Sequence, residues 1–428
     1  GANVAILAGE TKIIATDGGA GSGVVYDVLT DVNLAGTTKT AALTNAGALS
    51  NQGTVTVGVD DTGYDVKFFG ATAGKYALWD ESADSWIISG TQSTVTAGTS
   101  NYIAGVNAGN SIASGGNYNV TIGDEAGTAI TTGDGNIAIG YQAADALSTG
   151  IRNIAIGKTA LGAATTSDYN TAVGYEAMGL NTTGTRNTAF GVQALYTNVD
   201  GDNSVAIGYE ALFTQDPASN VDMYNTAVGY AAGKLLTTGI SNTLIGGLAG
   251  DSITTASYST AIGTSALTAN TTGAQNTVVG SSAGASNTTG SFNVAMGVDT
   301  LSTATTASNN TAIGKGAMAA TTTGADNVAL GFEAMKANTT AGYNIAIGSE
   351  VMEDNTTGAN NVAMGYRAMR ANTTASNNTA VGYAALNVNT TGPGNTAVGY
   401  TTLDANTTGE YNTAIGQAAM GVNTTGDN

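Results

Sequence analysis

Paired carboxylates are the residues of this sequence whose type and spacing come nearest to a reactive site. Asp60-Asp61 and Asp80-Glu81 each place two acidic side chains next to each other. Such pairs suit Ca²⁺, and two carboxylates on either side of a sugar would suit glycoside hydrolysis. The spacing matches no known calcium loop, so we expect solvated turn carboxylates. The sequence therefore predicts no catalytic residue, no cofactor and no metal.

Other reactive groups are scarce. The 428 residues include no Cys and no His, which removes disulfides, thiolate chemistry, zinc sites of the usual kind and His-based triads. The run 18–23 is Gly-rich, but it lacks the Lys-Ser/Thr ending of a phosphate loop. A net charge of −19 offers no basic footprint for nucleic acid. Because no run of 18 apolar residues occurs, the sequence also predicts no membrane insertion.

A 17-residue repeat organises residues 119–428. Phrases such as Asn-Thr-Ala-Val-Gly-Tyr recur, and we use their glycine as the anchor of each repeat. Every interval between anchors is 17 residues except one of 21, which marks a four-residue insertion near 214–222. A period this short suits one turn of a β-solenoid rather than a helical pair or a propeller blade. The eighteen anchors are Gly123, Gly140, Gly157, Gly174, Gly191, Gly208, Gly229, Gly246, Gly263, Gly280, Gly297, Gly314, Gly331, Gly348, Gly365, Gly382, Gly399 and Gly416.

The residues around each anchor predict two short strands and two turns in a coil. Apolar residues two apart, such as Ile137 and Ile139, share one face of the strand before the anchor. The residue between them is Ala in fifteen coils, and its small size suggests a second, closely packed face. Pairs such as Ala177-Met178 predict a second strand after the anchor, which would close a thin core. The Asn-Thr-Thr-Gly segment predicts a turn, with positive φ at its Gly.

A column of Asn side chains is expected to stabilise the stack. Asn lies four residues before the anchor in sixteen coils, and Ser204 and Ser259 are the exceptions. At about 4.8 Å per coil, these side chains can hydrogen-bond along the axis. The ladder positions that we single out are Asn136, Gly140, Asn170, Gly174, Asn187, Gly191, Asn327, Gly331, Asn361, Gly365, Asn395 and Gly399.

Two features are candidates for surface contact. An aromatic residue often follows the anchor, and such a column could stack on sugars, although stacking along the rod is the plainer interpretation. Pro217 lies in the insertion, where a loop bulging from a solenoid could contact a partner. The candidate aromatic residues are Tyr141, Tyr175, Tyr366, Tyr383 and Tyr400.

Thr-Thr pairs recur at the turn, as in Thr271-Thr272 and Thr356-Thr357. Regular Thr arrays occur on β-solenoid ice-binding proteins, but those generally need Thr-x-Thr on a strand. Adjacent residues of a strand point to opposite faces, so the pairs argue against ice binding. The Asn-Thr-Thr phrases, including Asn181, Asn270 and Asn338, are also formal glycosylation acceptors, which repeat geometry explains without any sugar.

A thin solenoid favours oligomerisation, because ordering 17 residues per coil costs more than its few large apolar side chains return. This argument does not select a number of copies. The phrase 203–208 resembles the core phrase of YadA-type trimeric autotransporter adhesin heads, and 309–314 and 360–365 are close variants. The resemblance implies a homotrimer of left-handed parallel β-rolls. This chain differs in its longer coil, with an added Asn-Thr-Thr-Gly turn.

The first 118 residues lack the period. We expect an extended attachment segment at 1–50, a small β domain at 51–92 and a Ser/Gly/Asn-rich connector at 93–118. Alternating residues predict strands in the β domain at 54–59, 64–70, 76–80 and 84–88. The run 59–70 resembles segments of phage tail-fibre and structural proteins.

Together these features predict an all-β, parallel β-solenoid rod with a structural role and no enzymatic one. The expected function is that of a tail or head fibre of a phage-like virion, which attaches to other virion proteins through its N-terminal region. Its far end would contact a host-surface glycan or protein. One alternative is a bacterial cell-surface trimeric adhesin or an extracellular filament subunit. A second alternative is an ice-binding solenoid.

Overall fold

The computed structural model describes residues 97–427 and five strands that precede them. The chain divides into two compact units, residues 1–90 and residues 91–428. No α-helix occurs in the described part of the chain. The strands of the first unit are β1 (Ala15–Thr16), β2 (Val25–Tyr26), β3 (Val66–Phe69), β4 (Tyr76–Asp80) and β5 (Ser85–Ser89).

The first unit contains two small antiparallel sheets. β1 pairs with β2, and β3, β4 and β5 form a three-stranded sheet in sequence order. Three of the four strands that the sequence predicts in this region are therefore present. The fourth, at 54–59, lies outside the described residues. So do the Gly-rich run 18–23, nearly all of the segment 1–50 and the side chains of the two carboxylate pairs.

The second unit is a parallel β-solenoid with one three-residue strand per coil. Each strand pairs with the strand of the next coil in exact repeat register, so that Ile313 lies opposite Leu330. Eighteen such steps span about 85 Å. The strands are β6 (Tyr102–Ala104), β7 (Val120–Ile122), β8 (Ile137–Ile139), β9 (Ile154–Ile156), β10 (Thr171–Val173), β11 (Thr188–Phe190), β12 (Val205–Ile207), β13 (Thr226–Val228), β14 (Thr243–Ile245), β15 (Thr260–Ile262), β16 (Thr277–Val279), β17 (Val294–Met296), β18 (Thr311–Ile313), β19 (Val328–Leu330), β20 (Ile345–Ile347), β21 (Val362–Met364), β22 (Thr379–Val381), β23 (Thr396–Val398) and β24 (Thr413–Ile415).

The solenoid begins earlier than the period indicates. β6 pairs in parallel with β7, and Gly105 has the positive φ of 136° that anchor glycines share. Residues 97–118, which belong to the segment that we expected to be a connector, therefore contribute a further coil. The repeat search misses this coil because its anchor lies 18 residues before Gly123.

The interior of the coil is lined by the middle residue of each strand, which is Ala in most coils. In every strand from β7 to β24 the middle residue is buried, and its two neighbours are half-buried or exposed. Ala312 is fully buried, for example, whereas Ile313 is 38% exposed. The Ala column thus packs inside its own coil. The closely packed face that its small size suggests is therefore the interior of the coil, and the larger aliphatic side chains face outward.

The second strand predicted after the anchor does not form. Ala177 and Met178 lie in a turn, and both are buried. Glu176 and Met178 have φ of 53° and 50°, a region that costs an L-residue about 1–2 kcal/mol. The N–H of Glu176 donates to the previous coil and that of Met178 to the next, each at 3.0 Å. These contacts and the burial of Met178 hold the unusual backbone in place.

The anchor glycines allow the coils to approach. Gly314 has φ of 129°, and a Cβ built on it would lie 2.3 Å from the carbonyl oxygen of Gly331. A Cβ built on any other anchor from Gly123 to Gly399 would collide with the backbone of the next anchor in the same way. Any side chain at this position would therefore strike the backbone of the next coil.

Candidate functional surfaces

The predicted Asn ladder runs through the interior. Asn136 is buried, its N–H donates to Oδ1 of Asn119 at 2.9 Å, and its own Oδ1 accepts the N–H of Asn153 at 2.9 Å. The other predicted ladder residues, Asn170, Asn187, Asn327, Asn361 and Asn395, are buried and bonded from coil to coil in the same way. The ladder is uncharged, so it satisfies buried backbone groups without the cost of a buried ion.

A second interior ladder escaped the sequence analysis. It is formed by the Asn of the Asn-Thr-Thr-Gly turn, where Asn372 donates to Oδ1 of Asn355 at 2.7 Å and to the carbonyl of Ala375 at 3.0 Å. Asn181, Asn270 and Asn338 belong to this column and are fully buried. A glycosyltransferase could not reach these side chains in the folded rod, so the formal acceptor motifs are interior structural residues.

The outer sheet face is the first of three exposed surfaces. We define it as the first and third residues of strands β7 to β24. All eighteen third residues are Ile, Val, Leu, Met or Phe, and every first residue is Thr, Val or Ile. Neither column contains a charged residue, although the chain carries a net charge of −19. Phe190, Met296 and Met364 are 57%, 41% and 40% exposed.

The Tyr column lies beside the outer sheet face. Tyr383 stacks on Tyr400 with ring centroids 5.1 Å apart, and Tyr366 lies 5.3 Å from Tyr383. Lys158 interrupts the column, and its ammonium lies 5.8 Å from the ring of Tyr141 and from that of Tyr175. The Arg367 guanidinium lies over the ring of Tyr366. Neighbouring rings of the column thus stack on one another or lie beside a cation, while Tyr383 and Tyr400 remain 48% and 54% exposed. This arrangement favours stacking along the rod over stacking on sugars.

Carboxylates next to the Tyr column tune its electrostatics. The hydroxyl of Tyr175 is hydrogen-bonded to Glu176, which raises the pKa of Tyr175. Lys234 Nζ lies 2.6 Å from Oε2 of Glu210, and this contact lowers the pKa of Glu210 and raises that of Lys234. These pairs are on the surface, where such interactions contribute little to stability. The Lys234–Glu210 pair links neighbouring coils, whereas Tyr175 and Glu176 belong to the same coil.

The Thr rank is the third exposed surface. We define it as the second Thr of the turn in twelve consecutive coils, from Thr238 to Thr425. All twelve are exposed. The preceding Thr of each turn is half-buried in eleven of them, and its hydroxyl donates to the carbonyl of the matching Thr one coil further on, as from Thr322 to Thr339 at 3.1 Å. The rank comprises Thr238, Thr255, Thr272, Thr289, Thr306, Thr323, Thr340, Thr357, Thr374, Thr391, Thr408 and Thr425.

The insertion presents a short polar loop. Pro217 is buried, so our expectation that it is a contact residue is wrong. The exposed part is 218–222, which ends at Asp222. Tyr224 donates to Asp222 at 2.8 Å, and this hydrogen bond raises the pKa of Tyr224. Arg186 lies 3.4 Å from Asp202 and 4.0 Å from Asp222, so an ion-pair network holds the loop against the solenoid.

Neither a metal centre nor a membrane span is found in the part of the chain that the structure describes. No three acidic side chains there come together as metal ligands, and no helix has the length and apolar character to cross a bilayer. Comparisons of the chain with protein-family models, with curated proteins and with solved structures return no match. The function is therefore inferred from the geometry of the solenoid and its three exposed surfaces.

Proposed function

We propose that this chain is the rod of a structural fibre on a phage-like virion, with a mechanical role instead of a catalytic one. In this proposal the N-terminal unit attaches the rod to other virion proteins. The rod extends outward and supports contact with a glycan or protein on the host surface. The winding is left-handed, as the resemblance to adhesin heads implies.

The observation that carries this proposal is the unbroken pairing from β6 to β24. Each coil bonds to the next through its strand, through its turns and through the Asn ladder. Opening one coil breaks its hydrogen bonds to both neighbours, each of which contributes about 0.5–1.5 kcal/mol net. A stack of this kind transmits force along its axis and resists proteolysis, as a fibre requires.

The working unit of the fibre is a homotrimer, in which the outer sheet face of each copy packs against the others. With roughly a third of each large side chain exposed, eighteen coils present apolar surface on the order of 1,000 Å², enough for one side of a stable interface. Monomeric proteins usually expose patches of a few hundred Å². A second copy has the same repeat, so its side chains can meet this face at every coil. The number three comes from the resemblance to the trimeric heads.

Imaging the native assembly tests the fibre proposal. Antibodies against the repeat region, carried on gold particles, are applied to purified virus-like particles and to the cells that release them. Label on filaments that project from a capsid or tail is the expected result. Label confined to the cell envelope would contradict the virion assignment and favour the surface adhesin or filament.

Charge placed on the outer sheet face tests the trimer separately. In Ile313→Lys, buried lysines from three copies would repel one another, so light scattering should show the trimer dissociating at protein concentrations where the wild type stays intact. The matched control is Ala319→Lys, which puts Lys at the coil position that Lys336 occupies in the next coil. A wild-type monomer would overturn the trimer, and a trimer that tolerates Ile313→Lys would overturn this interface.

A further inference from the structure

The Thr rank is more regular than an exposed surface needs to be. Over its twelve coils the exposed position is Thr without exception. Three residues further along the same coils another column, exposed in all but two of the described coils, holds Tyr, Phe, Gln, Asn, Asp, Ser and Gly. The repeats have therefore diverged where side chains face solvent, but not at the rank. Its uniformity calls for a physical reason.

Hydrogen bonds within the protein explain why the half-buried position is always Thr, but they do not explain why the exposed position is. The half-buried hydroxyls form a continuous series of eleven bonds to the next coil, from Thr237 to Thr424, at 2.9–3.2 Å. Among the described residues, no side-chain hydrogen bond involves any of the twelve exposed hydroxyls of the rank. Their donors and acceptors remain free to bind something outside the protein.

The surroundings of the rank restrict what it can bind. Thr presents a hydroxyl and a methyl group, and neither the rank nor the half-buried Thr column carries a charge. Cations need carboxylates, sugars and nucleobases need open aromatic faces, and protein partners need large anchoring side chains. The rank offers none of these groups. What it offers is one hydroxyl and one methyl per coil, repeated at the coil rise of about 4.8 Å.

We propose that the Thr rank binds the surface of ice. The repeat along the rank is close to the spacing of water molecules on a prism face of the ice lattice, so successive hydroxyls can replace lattice waters while methyl groups fill the hollows between them. Each Thr pair lies in a turn, where one member is exposed and the hydroxyl of the other is bonded to the next coil. The proposed contact is therefore a single rank of hydroxyls and not both members of each pair. Rigidity helps as well, since a fixed array loses little conformational entropy on binding.

This binding surface is separate from the outer sheet face and does not depend on it. The rank lies in the Asn-Thr-Thr-Gly turn, whereas the sheet face belongs to the strand. Packing of copies through the sheet would leave the rank exposed and increase the number of ranks per particle. Ice binding and a fibre role are thus compatible, and each can fail without the other.

Thermal hysteresis and the shape of ice crystals grown in the purified full-length protein test the proposal. The wild type should give faceted crystals and a measurable hysteresis gap. The double variant Thr306→Lys/Thr323→Lys should lose most of that gap, because two lysines interrupt the rank near its middle. The conservative Thr323→Ser, which keeps the hydroxyl and removes the methyl, should lose less.

Ala285→Lys/Ala319→Lys is the control, since it adds the same two charges at the coil position that Lys336 occupies, away from the rank. It should keep the wild-type gap, and circular dichroism melts should show that all variants are folded. A wild-type protein that leaves ice crystals as unfaceted discs without hysteresis would overturn the proposal. An equal loss in Ala285→Lys/Ala319→Lys and in Thr306→Lys/Thr323→Lys would overturn it too, because the effect would then be one of charge alone.

Discussion

The side-chain oxygen of Asn327 accepts the backbone N–H of Asn344, one coil further on, at 3.0 Å. The same side chain donates to the carbonyl of Ala341 at 2.9 Å and to Oδ1 of Asn310 at 3.1 Å. One buried amide thereby joins three successive coils and satisfies backbone groups that water cannot reach. The residues of the ladder are the interior counterpart of the strand pairing on the outside.

Truncating one ladder residue should open the rod locally. Asn327→Ala leaves the N–H of Asn344 and the carbonyl of Ala341 without their side-chain partner, at a cost of about 2–4 kcal/mol. Because a solenoid can open coil by coil, hydrogen exchange of the Asn344 amide is the most direct measurement, and it should accelerate at least tenfold.

Asn387→Ala provides the matched control. Asn387 is half-buried, and its Oδ1 has no hydrogen-bond partner within the described part of the chain. The same truncation there should leave exchange of the neighbouring amides within about twofold of the wild type, corresponding to about 0.4 kcal/mol. Equal acceleration in both variants would mean that the ladder does not stabilise the stack.

The two Ser residues of the ladder should respond in opposite ways to replacement by Asn. The N–H of Asn276 reaches the hydroxyl of Ser259 only at 3.4 Å, so Ser259→Asn should restore a normal rung and stabilise the rod by about 1 kcal/mol. At Ser204 the missing amide is supplied by Gln215, which contacts Ser204, Asn198 and Asn225. Ser204→Asn would displace Gln215 and should destabilise the rod.

Thermal melts of the two variants, read by circular dichroism, test this pair. A higher melting temperature for Ser259→Asn and a lower one for Ser204→Asn is the expected outcome. If both shift in the same direction, the identity of the ladder residue would matter less than its size.

The sequence was sufficient to predict the register of the solenoid but not which side of the strand faces inward. The 17-residue spacing of the glycines sets which residues stack, and stacking alone predicts the Asn ladder. Alternation shows that Ile137 and Ile139 share a face, but it does not say whether that face is buried. The structure places the small Ala138 inside, because the adjacent Leu, Met and Asn residues of the turns already fill the narrow interior.

The sequence of the second half of the coil contains evidence against the second strand that we predicted there. Ala177 and Met178 are adjacent, and both are apolar in nearly every coil. On a strand, one of the two would point to solvent. Consecutive buried residues are possible here because alternate residues adopt positive φ, a conformation that no propensity scale would assign to Met or Leu. The turn that carries the Thr rank does not share this geometry. Neither the rank nor the glycines that follow it, such as Gly273 and Gly324, have positive φ, so the positive φ predicted at the turn Gly is wrong.

Replacing an anchor glycine should disrupt the stack through a backbone collision. A Cβ on Gly314 would lie 2.3 Å from the carbonyl oxygen and 2.6 Å from the carbonyl carbon of Gly331. Neither atom can move without breaking the pairing of β18 with β19. Gly314→Ala should therefore cost at least about 3 kcal/mol, observed as faster hydrogen exchange in both coils and as a new protease-sensitive site.

Gly247→Ala is the control for this substitution. Gly247 directly follows an anchor, but nothing lies within 4 Å of a Cβ built on it. Its melting temperature should stay within a degree or two of the wild-type value. Protease cleavage at Gly247→Ala equal to that at Gly314→Ala would show that backbone freedom, and not the close approach of coils, explains the anchors.

Two other glycines have nearly the same backbone φ but differ in the space available for a Cβ, so their conversion to Ala should have different costs. Gly284 and Gly250 have φ of 57° and 55°, so conversion to Ala carries the same conformational cost at both. A Cβ at Gly284 would make ordinary contacts of 3.4–3.6 Å beside a cavity of about 10 Å³. At Gly250 it would lie 2.7 Å from Cδ1 of Ile253 and 2.9 Å from Cδ2 of Leu244.

Gly284→Ala should therefore remain within about 1 kcal/mol of the wild type, because the added methyl contributes burial that offsets the cost of its positive φ. Gly250→Ala should be less stable than Gly284→Ala by about 1–3 kcal/mol, the usual penalty for overpacking a core. Hydrogen exchange of the amides in each coil measures both effects at the site of change. If the two variants were equally destabilised, the φ of the glycine would account for the whole effect. The close contacts of a Cβ at residue 250 with Ile253 and Leu244 would then have no energetic role.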